Sequence, residues 1–143
     1  MLDKRRSVNI IIIFAIAILI IIITCYLVFF NKNKVIVIDE ESFFDDFEII
    51  NDEVHIYCIV SLRNYGTNGK KIKILGDFQE EVNIGLLKER DLEAYFMEEA
   101  SNAIVIEGNS TLKYVKIEFV GEYAGNAIMS NRLLPQIKII EID

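Results

Sequence analysis

The sequence predicts an all-β domain, an antiparallel sandwich, carried behind a single N-terminal transmembrane helix. Three observations point to it. Residues 10–23 are an unbroken apolar run. Beyond residue 30 the apolar pattern changes to period two, as in "VHIYCIVSLR". Between the alternating runs lie turn-forming clusters such as "NYGTNGK".

The helix comes first. No charged residue occurs between Val8 and Phe30. Residues 10–30 would rise about 31 Å as a helix, close to the ~30 Å hydrocarbon thickness of a bilayer. A cleaved signal peptide has a shorter apolar core and ends in small residues. Here the end reads Tyr26-Leu27-Val28-Phe29-Phe30, bulky throughout. Lys4, Arg5 and Arg6 ahead of the run favour a cytoplasmic N-terminus and an extracellular C-terminal domain at the cell membrane. Lys32 and Lys34 on the far side oppose that orientation without reversing it.

Cys25 raises the question of lipid attachment. Processing at such a site needs a small residue before the cysteine, and it needs the apolar stretch to end there. Thr24 precedes Cys25 and five apolar residues follow it, so an intact helix is expected. A type IV pilin would need a glycine before an aromatic residue and a glutamate shortly after, and neither is present around Arg6-Ser7-Val8-Asn9-Ile10. The expected organisation is a cytoplasmic tail (1–7), a signal-anchor helix (8–30), an acidic juxtamembrane segment or first strands (31–50) and the exported β domain (51–143).

Within the domain, Val54, Ile56, Cys58, Val60 and Leu62 alternate with His55, Tyr57, Ile59, Ser61 and Arg63, and the first set forms the inward face. Asn68-Gly69 suits a turn with positive φ. "KIKIL" follows, with Ile72 and Ile74 on one face and lysines on the other. "AIVIE" (103–107) and "STLKYVKIEFV" (110–120) flank Gly108-Asn109, a hairpin signal, and Val115, Ile117 and Phe119 share a face. "QIKIIEID" is a last strand after the only proline, Pro135. "KVIVI" (34–38) and "FFDDFEII" (43–50) are further strands or a short stalk. In "EEVNIGLLKERDLEAYFMEEAS", Leu92, Tyr95, Phe96 and Glu99 have helical spacing, so one or two helical turns are expected at 89–99, within a long cross-over connection.

Six to eight short strands of this kind make an immunoglobulin-like antiparallel β-sandwich. A long strand ending in "LRNYG", the stretch "GDFQEEVNIGLLKERDLEAY" and the stretch "VKIEFVGEYAGNAIMSNRLLPQIKI" resemble the small immunoglobulin-like exported domains of low-GC Gram-positive bacteria. These include telokin-like modules of unknown function. The resemblance spans about residues 54–142 and implies a fold and a membrane tether, with no functional residue to transfer.

Charge and residue usage narrow the chemistry. Residues 1–30 hold three bases and one acid; the remainder has twelve bases against twenty-one acids, a net of −9. Such a domain is a poor partner for nucleic acid, whose phosphates need Lys and Arg. It is also repelled by anionic lipid headgroups and cell-wall polymers. The two cysteines, Cys25 and Cys58, lie in the apolar run and in a strand, so no disulfide is expected. His55 is the only histidine and falls on the strand face opposite Cys58, which opposes a Cys/His pair. The acidic run 39–53 lacks the glycine turn of a calcium loop and reads as a solvated strand edge or stalk. "GEYAGN" lacks the GK[ST] ending of a phosphate cradle, and Asn109-Ser110-Thr111 matches a glycosylation acceptor of a kind common by chance. No catalytic, cofactor-binding or metal site is expected.

The remaining candidates are apolar residues in polar loops: Tyr65, Phe78, Tyr123, Ile128 and Met129 are expected to anchor protein contacts. Leu133 and Leu134, beside Pro135, are expected to fold back and plug the domain. The function expected is non-enzymatic protein–protein interaction by a single-span membrane protein, held in the membrane through residues 8–30. The alternatives are a structural envelope subunit, a lipoprotein or an envelope hydrolase.

Overall fold

The computed structural model describes residues 2–31, 34–126 and 132–142, with side chains of the N-terminal segment described over 12–26. The chain divides into two compact units, Met1–Lys34 and Val35–Asp143.

The first unit is one helix, α1 (Leu2–Asn31). Thr24 is its polar interruption among the described side chains, and its hydroxyl donates to the Ile20 carbonyl at 2.5 Å. This bond satisfies the hydroxyl within the helix. The described side chains cover a rise of about 22 Å. Among the described residues, no helix is long and apolar enough to cross a membrane.

The second unit is an antiparallel sheet that curls on itself. Its strands are β1 (Val35–Val37), β2 (Phe43–Ile50), β3 (Glu53–Asn64), β4 (Lys70–Asp77), β5 (Asp91–Phe96), β6 (Ile104–Ile106), β7 (Thr111–Glu122) and β8 (Gln136–Ile142). A one-turn helix, α2 (Gln79–Asn83), follows β4. One half of the sheet runs β2–β3–β7–β5, with β1 beside the far end of β3; the other runs from β8 through β4 to β5 and β6.

The period-two pattern dictates the core. Val54, Ile56, Cys58, Val60 and Leu62 of β3 are fully or almost fully buried, as are Ile72 and Ile74 of β4 and Ile117 and Phe119 of β7. These side chains belong to one cluster, so both halves of the sheet face a shared interior. Each inward large aliphatic side chain contributes about 1.5–3 kcal/mol relative to exposure. The expected strands are therefore present, with their inward faces as expected.

Three local expectations are corrected. The segment 89–99 is not helical: Asp91–Phe96 is β5, and Leu92, Ala94 and Phe96 point inward while Asp91, Glu93 and Tyr95 are exposed. Its alternation fits the core, and that packing overrides helix propensity. Gly108-Asn109 does not turn a hairpin, because β6 pairs with β4 and β7 pairs with β3 and β5. The two residues carry the chain from one half of the sheet to the other. Asn68-Gly69 likewise joins β3 to β4, which are not paired, and neither residue has positive φ. The tight hairpin is at Asn51-Asp52, between paired Ile50 and Glu53, with φ of 50° and 65°. Asn and Asp tolerate this left-handed geometry, as a two-residue type I′ turn requires.

Candidate protein-contact surface

The curl is closed on one side and open on the other. On the closed side β5 changes partners along its length. Asp91–Glu93 pair with β4 and Ala94–Phe96 pair with β7, so one strand stitches the two halves together. On the other side lie two edges, β1/β2 and β8, which do not pair with each other.

A cavity of about 570 Å³ occupies the open seam. Its apolar lining includes Val37, Phe43 and Phe44 from one edge and Leu134, Pro135 and Ile137 from the other. A second hollow of about 360 Å³ shares Leu133, Leu134, Pro135 and Gln136, and adds Asp77, Glu80 and Glu81. Leu134 packs against the core, as expected of a plug, but Leu133 is 79% exposed. Phe43 across the seam is 49% exposed. Large apolar side chains held at the mouth of a hollow lose hydration cost when a partner covers them.

The walls are fixed by local hydrogen bonds. In β2 the pairing shifts between Phe44 and Asp46, opposite Cys58 and Tyr57, leaving Asp45 as the extra residue of a bulge. The extra residue puts Phe44 and Phe47, three positions apart, on the same side, where both pack against the core. A second irregularity lies on the other side of β3, where Tyr114 of β7 has a φ of 55°. Ser61 pins both neighbours. It is fully buried; its Oγ accepts from the Tyr114 N–H at 3.1 Å, and its own N–H donates to Ser42 Oγ at 3.0 Å. Ser42 in turn donates to the Ile38 carbonyl at 2.7 Å.

The rim is acidic. In the run 39–53, Glu41 pairs with Lys113 at 2.7 Å and Asp45 with Lys116 at 3.4 Å. Glu48 accepts from the Tyr57 hydroxyl at 2.6 Å, which raises the tyrosine pKa. Asp39, Glu40 and Asp46 have no cation at ion-pair distance among the described residues. Arg132 lines the cavity but is turned to the Phe47 ring, 4.3 Å from its centroid, with Glu81 at 3.9 Å.

The contact residues expected from sequence that are described, Tyr65, Phe78 and Tyr123, do not come together. Tyr65 is exposed in the β3–β4 connection, with the Arg63 guanidinium 5.3 Å from its ring centroid. Phe78 is corrected: it is 1% exposed and stacks edge-on against Phe119, with centroids 5.0 Å apart. A side chain in that position is core and cannot anchor a partner. Tyr123 lies at the opposite end of the sheet from Tyr65, half-buried against the core, its N–H donating to the Asp52 carbonyl at 2.9 Å. Ile128 and Met129 lie outside the described residues. Phe43 and Leu133, which sequence reasoning passed over as contact residues, form the mouth of the seam. The signal available for Leu133 was its place in "RLLP", where alternation sends only one of two adjacent leucines inward.

His55 Nδ1 is 2.7 Å from Glu118 Oε1 on the outer face of β3 and β7. Cys58 points into the core, where burial pushes its thiol up to about 12, so it is not available as a nucleophile. Among the described residues, no group of three His, Cys, Asp or Glu side chains is placed to hold a metal ion. The chain matches no protein-family model, no curated protein and no solved structure.

Proposed function

We propose that this chain is a single-span membrane protein that displays an immunoglobulin-like β-sandwich outside the cell membrane for protein–protein contact, without catalysis of its own. The observation that carries the reading is the open seam: a hollow of about 570 Å³ flanked by exposed Phe43 and Leu133 and fixed by the Ser42–Ser61–Tyr114 hydrogen bonds. An apolar mouth on pinned walls favours recognition, since little ordering is needed on binding.

The immunoglobulin-like assignment draws support from strand order. The sequence β2–β3–β7–β5 parallels A–B–E–D of such domains, and β4 beside β8 parallels C beside F. The span assignment rests on the uncharged run 8–30, which falls inside the continuous helix Leu2–Asn31. Lys4, Arg5 and Arg6 ahead of the run support a cytoplasmic N-terminus.

The test is site-specific photocrosslinking in intact membranes. A photoreactive phenylalanine analogue at Leu133 is expected to form a discrete adduct, and the same group at Val105, exposed on β6, is not. Equal labelling at both sites, or none at Leu133, counts against the reading.

A further inference from the structure

We propose that β8 is a strand-docking edge, and that its occupant is an extended apolar segment of a partner protein flanked by lysine or arginine. The inference rests on the protein-contact reading above and states how that contact is made.

Edge strands are normally guarded by bulges, prolines, charges or cover. The β2 edge is guarded: it carries the Asp45 bulge and three carboxylates, Asp45, Asp46 and Glu48. The β5 side is closed by its own pairing. Among the described residues β8 carries no bulge and no internal proline, and Lys138 is its one charge outside an ion pair. Its register with β4 runs unbroken from Gln136 opposite Asp77 to Ile142 opposite Lys71. Pro135 stands just before the strand, outside it. Of its two charged residues, Glu141 is held by Lys70 at 2.6 Å. Ile137, Ile139, Ile140 and Ile142 make up most of the rest.

In an antiparallel sheet every second residue of an edge strand turns its N–H and C=O away from its one partner. β8 therefore offers a row of outward donors and acceptors, and the seam cavity lies beside it. A strand added there would direct alternate side chains, roughly 6.8 Å apart, toward Val37, Phe44, Leu134 and Ile137. In the immunoglobulin-like comparison this is the position beside strand F.

Charge selects the occupant. Asp39 in the seam cavity and Glu80 in the adjoining hollow favour cationic flanks, Arg132 between them being already turned to Phe47 and Glu81. The same acidity, a net of −9 beyond residue 30, disfavours a second copy of this chain.

The experiment uses the full chain in detergent and a synthetic peptide of alternating valine and threonine with lysines at both ends. Backbone hydrogen exchange is followed with and without it. The expected result is slowed exchange at the outward amides of β8. A peptide with alternate backbone amides methylated is expected to lose binding, and a glutamate-flanked peptide to bind about tenfold or more weakly. Lys138→Pro and Ile139→Pro serve as paired variants. The one that removes an outward N–H is expected to stay folded and lose the peptide; the other disrupts the β4 ladder.

No binding, undiminished binding of the methylated peptide, or protection confined to other strands overturns the proposal. Protection of β8 that rises with protein concentration alone also overturns it, in favour of a second copy. Adducts at Leu133 without β8 protection would leave the contact module standing while removing the strand-docking mechanism. Absence of Leu133 adducts removes the module itself.

Discussion

Asn64 reaches across the end of the sheet to Ile106, its Nδ2 donating to the Ile106 carbonyl at 3.0 Å. The same amide group donates to the carbonyls of Asn68 at 2.9 Å and Glu107 at 3.2 Å, and Oδ1 accepts from the Gly66 N–H at 2.8 Å. Asn64 is fully buried, so these partners replace water completely. One side chain thereby locks the β3–β4 connection to the β6–β7 connection. Asn64→Leu is expected to cost about 3 kcal/mol, because it strands the Gly66 N–H and adds bulk to a closed site. Urea unfolding followed by circular dichroism measures it; a cost below about 1 kcal/mol would mean the carbonyls find water instead.

Gly76 lies beneath the Phe78–Phe119 pair. A Cβ there would stand 2.6 Å from the Phe78 ring and 3.0 Å from that of Phe119. Gly76→Ala is expected to destabilise by about 1–3 kcal/mol through overpacking. Adding Phe78→Leu should relieve part of that cost, so the two substitutions are expected to be non-additive in a double-mutant cycle. Additive effects would place the strain in the backbone.

Cys58 makes stability depend on alkaline pH. Burial raises its thiol from 9.0 to about 12. Between those values the unfolded chain releases the proton and the folded chain keeps it. Stability from this group is thus unchanged below about pH 9 and falls above it, by at most about 1.4 kcal/mol per pH unit. Tyr57, also raised, acts in the same direction at higher pH. Denaturation between pH 8 and 10 should show the decline, and Cys58→Ala should flatten it. In the folded protein Cys58 should resist alkylation at pH 8, so its labelling rate reports opening of the core.

Arg90 grips Asp77 with two bonds, Nε to Oδ1 at 2.9 Å and a terminal nitrogen to Oδ2 at 2.5 Å. The guanidinium holds the Asp77 carboxyl below its ordinary value of 3.8. Arg90→Lys loses the fork geometry and should let that pKa rise toward 3.8. The pair closes the β4–β5 connection together with the Phe78 N–H bond to the Arg90 carbonyl at 2.7 Å. Because the wild-type carboxyl is depressed, its stabilising share is present above the unfolded value and lost as pH falls through the folded one. Carboxyl carbon chemical shifts over acidic pH measure both forms; identical titrations would show that the ion pair does not persist in solution.

The fold was legible wherever a strand carries its own alternation. Val54 to Leu62 declare an inward face with no reference to any partner, and all five are buried. The same local logic misread Leu92, Tyr95 and Phe96, since their positions also satisfy helical spacing. Leu92, Ala94 and Phe96 became a strand face because β4 and β7 stood ready to pair on either side. Phe78 misled for a related reason: it follows a charged residue in a polar loop, and only the vacancy at Gly76 lets it turn inward against Phe119.

The sequence by itself determined the apolar N-terminal run, the all-β character of the remainder, the inward residues of its long strands and the acidic character of the surface. Each follows from periodicity or composition, which act over a few residues. Tertiary structure alone decided that Gly108-Asn109 crosses between sheet halves, that β5 closes one side of the curl, and that β2 and β8 stay unjoined on the other. An edge is defined by the neighbour a strand lacks. That is a property of the whole pairing pattern, set by long-range packing, and no local stretch of residues encodes it.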